Sequence, residues 1–560
     1  MDKAKKLSTE VLVVGGGAAG LRAALAAAET GSQVLVVNKG PIGRSGISLT
    51  AAGGLQAPFH PDDSPEAFYH DTVRCGYELG DRNLVRILAE GACDAILDAE
   101  RYGVRFVKND AGQFALGQFP GQSYPRNIFV KGGGIGLVAA LARACREREN
   151  ITLLEDFFVT GVLIGQSGNE RTAAGVMGLY LPDGSLTQIS ARAVVMATGG
   201  CQWLWEVNDC PADAVGDGVV YAYRAGAELT DMEMVLFYPS VIVWPPSVKG
   251  AFVHYEFLAE ALLDGNVYDK TGAPILPKPL PVRDEAMRIM ASAIRDGRGG
   301  DHGGLYWYVG DSPKGEAAVR KQLDTLQYNY IKTLGIDPAT ARIEVAPGAH
   351  YLMGGIRIND QCQSSLPGLF AAPECAGNFD GANRLAGSGL AATQVFGKKA
   401  GTAAGRWAAG HEAIAADPAS LEQETGRVAG RLAAKPSGGK LNVYRQQLRS
   451  AVQAYAGVSR TEQGLKDLSK LAGEIKTRLA GETVPDQPVF NQNLLDLLQL
   501  ETMCETAGLI ARSALLRRES RGHHFREDYP VRDDVNWLKH TVVARRNDTD
   551  CYDVKPVVML

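Results

Sequence analysis

The sequence has no CxxC pair. Its nine cysteines, at positions 75, 93, 145, 201, 210, 362, 375, 504 and 551, are scattered over 560 residues. The usual spacings for zinc or iron–sulfur ligation are therefore missing, and no metal centre is expected. An odd, dispersed set of thiols suits a reducing cytoplasm. No uninterrupted apolar run reaches the length that spans a bilayer, so a direct membrane span is not expected. The opening MDKAKKLSTEVLVVGGG runs straight into a strand, so no signal peptide is expected either. Positive charge is not in excess: 58 Lys and Arg face 63 Asp and Glu, for a net charge of −5. That balance argues against a nucleic-acid or polybasic membrane role. Repeats and low-complexity tracts are absent as well.

Glycine is abundant, at 65 residues. Without a collagen-like or linker-like repeat, the excess points to tight turns and close approaches between backbone and ligand. The length implies on the order of two to four domains. EVLVV is a continuous β-branched run, GLRAALAAAETG has helical spacing and ends on Gly31, and SQVLVV supplies a second strand. Together they read as one βαβ mononucleotide unit. Further buried strands are expected in ARAVVMATGG and LPGLFAAPECAG. Residues 235–350, rich in Pro, Trp and Tyr, break the βαβ rhythm and read as an inserted domain. After about residue 420 the pattern turns helical and charged, with AAKPSGGK as the expected linker.

Gly15-x-Gly17-x-x-Gly20 follows the first strand and opens the helix. In that setting the first glycine permits the turn, the second lets backbone N–H groups reach a pyrophosphate, and the third lets helix and strand pack closely. A glycine-rich turn without a ligand is the plainer alternative, and the strand–turn–helix context disfavours it. The acidic residue that usually closes the second strand is replaced by Asn38-Lys39.

The motifs VVGGGAAGL, NKGPIGRSG…AAGGLQA, VVMATGG, GDGVVYAYRAGAEL, RDEAMRIMASAIRDGRG, AHYLMGGI, LFAAPECAG, GANRLAGSGLAATQVFGKKAG and ESRGHHFREDYPVRDDVNWLKH occur in this order. In them the chain resembles the flavoprotein subunit of the succinate dehydrogenase/fumarate reductase family, which includes L-aspartate oxidase and, more distantly, adenylyl-sulfate reductase. The resemblance implies an α/β fold with a Rossmann-type FAD-binding domain in two parts (1–234 and 351–420), an inserted α+β capping domain (235–350), and a C-terminal helical domain with its tail (435–560). It implies FAD held by Gly15, Gly17 and Gly20 at the pyrophosphate and by Asn38 and Lys39 at the adenosine end. Ser45, Gly46, Gly53 and Gly54 would lie beside the ring system, with Ala197, Thr198 and Gly199 closing the second turn. Asp217 and Glu374 would meet sugar and ribityl hydroxyls, and Ser388 and Leu390 complete the set. The family often carries a covalently linked histidine after Arg-Ser; here Arg44-Ser45 is followed by Gly46, so the FAD is expected to be non-covalent.

The resemblance also implies a substrate site. His350 and Arg384 match the pair that grips one carboxylate, Arg384 with the forked geometry suited to it. Arg283 matches the proton donor and Glu260, in AEALLDG, the carboxylate that returns its proton. Tyr238 stands where the family has a histidine, Ala259 where it has a threonine, and Leu263 where it has a second arginine. Half of a dicarboxylate clamp is thus missing, and a compact dicarboxylate should fit poorly. His254 and His302 read as surface or packing histidines, Tyr306-Trp307-Tyr308 as packing of the inserted domain, and REDYPVRDD as a solvated loop. The implied function is an FAD-dependent oxidoreductase acting on the C=C or C–C bond of a small carboxylate, partnered by an iron–sulfur protein subunit. It would be cytoplasmic, or at the cytoplasmic membrane face through partner subunits. The alternatives are an enzyme of the adenylyl-sulfate reductase kind and a catalytically idle FAD electron-transfer subunit.

Overall fold

The computed structural model describes residues 5–437, 440–546 and 549–559; Gly438 and Gly439, within the expected linker AAKPSGGK, lie outside them. β1 (Lys5–Val14), α1 (Ala18–Glu29) and β2 (Val34–Val37) form the βαβ unit read from the sequence. Residues 11–14 pair in parallel with 34–37 on one edge and with 193–196 on the other, and all four are buried. A strand covered on both faces has no place for a polar side chain, which accounts for the unbroken VLVV. α1 stops at Thr30, and Gly31 then turns the chain into β2 at φ +90°, a conformation that penalises a Cβ.

β3 (Ile151–Leu154), β4 (Phe157–Ser167), β5 (Glu170–Tyr180) and β6 (Ser185–Met196) extend the sheet to the order β3-β2-β1-β6-β5-β4. Leu369–Ala371 pairs in parallel with the end of β6. The carboxyl ends of β1, β6 and Leu369–Ala371 therefore deliver Gly15, Ala197 and Ala372 to one place, where open α/β sheets bind ligands.

A second, antiparallel sheet has the order β7-β10-β9-β8, from β7 (Val235–Trp244), β8 (Asn266–Tyr268), β9 (Leu305–Tyr308) and β10 (Ile343–Leu352). α2 (Arg283–Ala293) packs on β7 and β10. This sheet has its own apolar cluster, which includes Tyr255, Leu263, Trp307 and Tyr328. Of the three aromatics 306–308 only Trp307 is buried, as strand alternation requires.

α3 (Ser388–Gly410) lies against α1, close enough that a Cβ on Gly401 would sit 2.1 Å from the Ala23 carbonyl oxygen. α4 (Leu441–Tyr455), α5 (Glu462–Leu479) and α6 (Gln492–Leu516) follow. The tail is not helical throughout: Lys539–Arg546 and Thr549–Pro556 pair with each other, and the first also pairs with Leu229–Thr230. His540 secures this return, with Nδ1 2.5 Å from Asp231 Oδ2 and Nε2 3.2 Å from Asp81 Oδ1. Within REDYPVRDD, expected as a solvated loop, Arg526 is instead fully buried and donates to Asp528 and to the Ala514 carbonyl. No helix among the described residues is long and apolar enough to cross a membrane.

Candidate functional site

The glycine turn is dictated partly by the protein and partly by something else. Gly15 has φ +116°, and a Cβ there would sit 2.2 Å from the Ala197 carbonyl oxygen; one on Gly20 would sit 1.8 Å from the Gly15 carbonyl oxygen. Both positions need glycine for the chain's own packing. Gly17 does not: its Cβ would meet nothing nearer than Ser48 Oγ at 3.4 Å. It caps the N-terminus of α1, and its open side faces a pocket. That is a cradle a side chain would fill, at the positive end of a helix.

Asn38 organises this turn. Its Oδ1 accepts from Gly16 N at 2.9 Å, while Nδ2 donates to the Gly40 carbonyl at 2.8 Å and to Ser45 Oγ at 2.9 Å. Lys39 Nζ donates to Asp217 Oδ2 at 2.7 Å, leaving Asp217 Oδ1 buried without a partner among the described residues. Thr198 Oγ1 is likewise buried and unpaired. Glu374, deep in the same pocket, has its carboxyl pushed up to about 7 by burial, against the pull of Gln202, which donates to it. Unsatisfied polar atoms facing one cleft fit a polyhydroxylated ligand.

The pocket is continuous from this turn to the second sheet. Its walls include Gly15, Gly17, Asn38, Lys39, Ser45, Gly46, Gly53, Gly54, Ala197, Thr198, Gly199, Asp217, Glu374 and Leu390, and beyond them Tyr238, Arg283, His350 and Arg384. Gly20, Ser388 and Glu260 do not line it. Gly20 acts behind the turn, and Ser388 is buried at the start of α3.

Arg283 opens α2, and its guanidinium meets Glu256, not Glu260: Nε and Nη2 lie 2.8 and 2.5 Å from Glu256 Oε1. The reason is local. Tyr255–Leu258 forms a single 3₁₀ turn that buries Glu256, whereas Glu260 falls on the following, partly exposed turn. The carboxylate in contact thus stands four residues before the one that the motif's letters select. Burial would raise the Glu256 carboxyl, but Arg283, His254 and Tyr238 hold it below the usual carboxylate range. Tyr238 donates to Glu256 Oε2 at 2.7 Å, accepts from Tyr255 N at 2.9 Å, and presents its ring 4.8 Å below the Arg283 guanidinium. Ala259 and Leu263, read as facing the substrate, do not line the pocket, and Leu263 sits in the apolar cluster. The wall beside Tyr238 is formed by Phe252 and His254. His254, read as a packing histidine, is therefore a pocket residue.

His350, on β10, has Nδ1 2.6 Å from Asp209 Oδ2, a partner that sequence reasoning missed. Arg384 is 7% exposed, its guanidinium lies 4.2 Å above the Tyr351 ring, and its Nε is unpaired. No carboxylate among the described residues lies within ion-pair distance of it, although the buried carboxyls of Asp380 and Glu374 feel its charge. Gly389 makes its position possible, since a Cβ there would fall 2.4 Å from Arg384 Nη1. A buried cation on a pocket wall without a direct ion-pair partner has room for an anionic ligand.

Residues 10–390 match the family described as FAD binding domain, and residues 445–560 that described as fumarate reductase flavoprotein C-term. The chain is 33% identical to a subunit of fumarate reductase (CoM/CoB) from Methanothermobacter marburgensis, over 93% of this chain and 94% of that protein. It is 31% identical to L-aspartate oxidase of Streptomyces coelicolor, over 97% and 92% respectively. The structure of E. coli quinol fumarate reductase superposes with a TM-score of 0.88 at 28% identity, covering 99% of this chain and 98% of that one.

Proposed function

The chain belongs to the fumarate reductase/succinate dehydrogenase flavoprotein family of FAD-dependent oxidoreductases, and from that premise we propose that it reduces the C=C bond of an enoate bearing a single carboxylate. The observation that carries this reading is Arg384, buried on the pocket wall with no carboxylate among the described residues at ion-pair distance, Asp380 and Glu374 acting on it only from further off. Gly17 and the unpaired Asp217 Oδ1 and Thr198 Oγ1 fit the pyrophosphate and hydroxyls of FAD. When bound and reduced by the electron-donating partner, the flavin would supply a hydride to one alkene carbon. Arg384 and His350 hold the carboxylate, Arg384 through its fork and His350 in the orientation that Asp209 fixes. Arg283 gives the proton to the adjacent carbon. An arginine returns to its charged form only if a proton reaches it, and Glu256, in contact with two of its nitrogens, is the group placed to pass one on. Tyr238, Phe252 and His254, which continue the wall from His350, offer no fixed positive charge to a second carboxylate, so succinate and fumarate are poor ligands.

Residues 235–350 serve in this reading as a capping domain that brings Tyr238, Glu256, Arg283 and His350 over the flavin. Relatives named as subunits make a multi-subunit setting reasonable. We take the partner to be an iron–sulfur protein subunit, since this chain carries no cysteine spacing for a cluster, and place the protein in the cytoplasm or, through partner subunits, at the cytoplasmic face of the membrane.

Arg384→Lys tests the reading. It keeps the charge and loses the fork, so turnover should fall at least tenfold while FAD content and fold stay intact. Unchanged turnover would make the carboxylate half-site a relic and overturn the single-carboxylate reading.

A further inference from the structure

His254 is buried and held on two sides. Its ring lies nearly parallel to Phe257, centroids 4.6 Å apart at 16°. Its backbone N–H donates to the hydroxyl of Tyr328 at 2.8 Å, and that hydroxyl lies 3.1 Å from His254 Nδ1. Tyr328 is fully buried, and its phenol proton has no other acceptor among the described residues. A buried hydroxyl proton without an acceptor is costly, so it goes to Nδ1. Nδ1 is then the acceptor, and the ring's own proton sits on Nε2. Burial lowers the pKa to about 4, so the ring is neutral at ordinary pH. Nε2 has no protein partner among the described residues, and His254 lines the pocket.

The neighbours cannot play this part. The Tyr238 proton goes to Glu256 and its oxygen takes the Tyr255 N–H. Ser240 Oγ donates to the Val253 carbonyl at 2.6 Å. Phe252 lies between His254 and His350, with centroids 5.5 and 6.1 Å from theirs. This wall therefore holds one uncommitted neutral donor. A second carboxylate brought to this buried wall would keep an uncompensated charge, whereas a neutral carbonyl oxygen is satisfied by a single N–H.

We propose that His254 is a specificity-determining residue whose Nε2–H hydrogen-bonds a neutral carbonyl oxygen at the end of the substrate remote from the Arg384-bound carboxylate. The substrate class is an enoate with one free carboxylate and one acyl group of ester, amide, ketone or thioester type. The proposal rests on the single-carboxylate reading above. Tyr328 acts through His254 and is a positioning residue.

The test titrates the oxidised holoprotein with monomethyl fumarate and with crotonate, following the flavin absorbance. The two ligands share a carboxylate and an alkene, and only the first has the remote carbonyl. The native protein should bind the monoester about tenfold more tightly than crotonate. In His254→Phe that ratio should fall to near one. In Tyr328→Phe, which frees the tautomer, it should fall part of the way with FAD content retained. Arg384→Lys should weaken both ligands together. A ratio unchanged by His254→Phe, alongside an Arg384→Lys that weakens both, would overturn this proposal alone. If Arg384→Lys affects neither ligand, the single-carboxylate reading fails and the proposal falls with it.

Discussion

Glu256 and Glu260 are four residues apart, and only one is in contact with Arg283. The distinction gives a clean contrast. Glu256→Gln removes the carboxylate that touches two guanidinium nitrogens, and turnover should drop by roughly 10²–10⁴. Glu260→Gln alters a partly exposed turn residue and should change stability by no more than about 0.5 kcal/mol and leave turnover near native. Steady-state rates of the two variants, each normalised to FAD content, decide the matter. Gly46 gives a second prediction at this scale. With no histidine after Ser45, acid precipitation should leave the yellow flavin in the supernatant; colour retained in the pellet would mean a covalent link elsewhere.

At the scale of elements, the turn between β1 and α1 separates glycines needed for folding from one kept for the ligand. Gly20→Ala would place a methyl 1.8 Å from a backbone oxygen and should abolish soluble expression. Gly17→Ala has room in the protein itself, so it should fold and lose FAD, read as the A450 to A280 ratio after purification. The C-terminal strand pair offers a stability test through His540. Burial lowers its pKa, but Asp231 and Asp81 outweigh that and raise it to about 9. Because the folded pKa lies above the unfolded one, the contribution is complete below about pH 6.5 and is lost as pH rises through about 9. It is worth on the order of 3 kcal/mol. Thermal melts between pH 6 and 10 should show a loss of Tm that is absent in His540→Gln.

For the whole molecule, the βαβ unit, the glycine turn and the order of motifs were legible in the letters, because local sequence and backbone geometry determine them together. The buried strands in ARAVVMATGG and LPGLFAAPECAG were equally plain from their apolar runs. What could not be read was decided by tertiary contact. Glu256 was obscured because a 3₁₀ turn shifts which carboxylate points inward; an acidic residue between Tyr255 and Phe257, in an apolar run, was the available signal. The link between Asp209 and His350 spans 141 positions, and that between His254 and Tyr328 spans 74. Neither leaves a local pattern. The return of Lys539–Arg546 to Leu229–Thr230 was hidden in the same way.

One carboxylate held by Arg384 and His350, beside a wall that offers no cation to a second, is what sets the chemistry proposed for this pocket. Stopped-flow reoxidation of the dithionite-reduced protein, under anaerobic conditions, compares fumarate with monomethyl fumarate directly. Two missing charge-assisted contacts, at about 1.5–3 kcal/mol each, predict that fumarate requires on the order of a hundredfold higher concentration, or more, to reach the same rate. Reoxidation by fumarate as efficient as by the monoester, or more so, would mean that the wall of Tyr238, Phe252 and His254 accepts the second carboxylate after all.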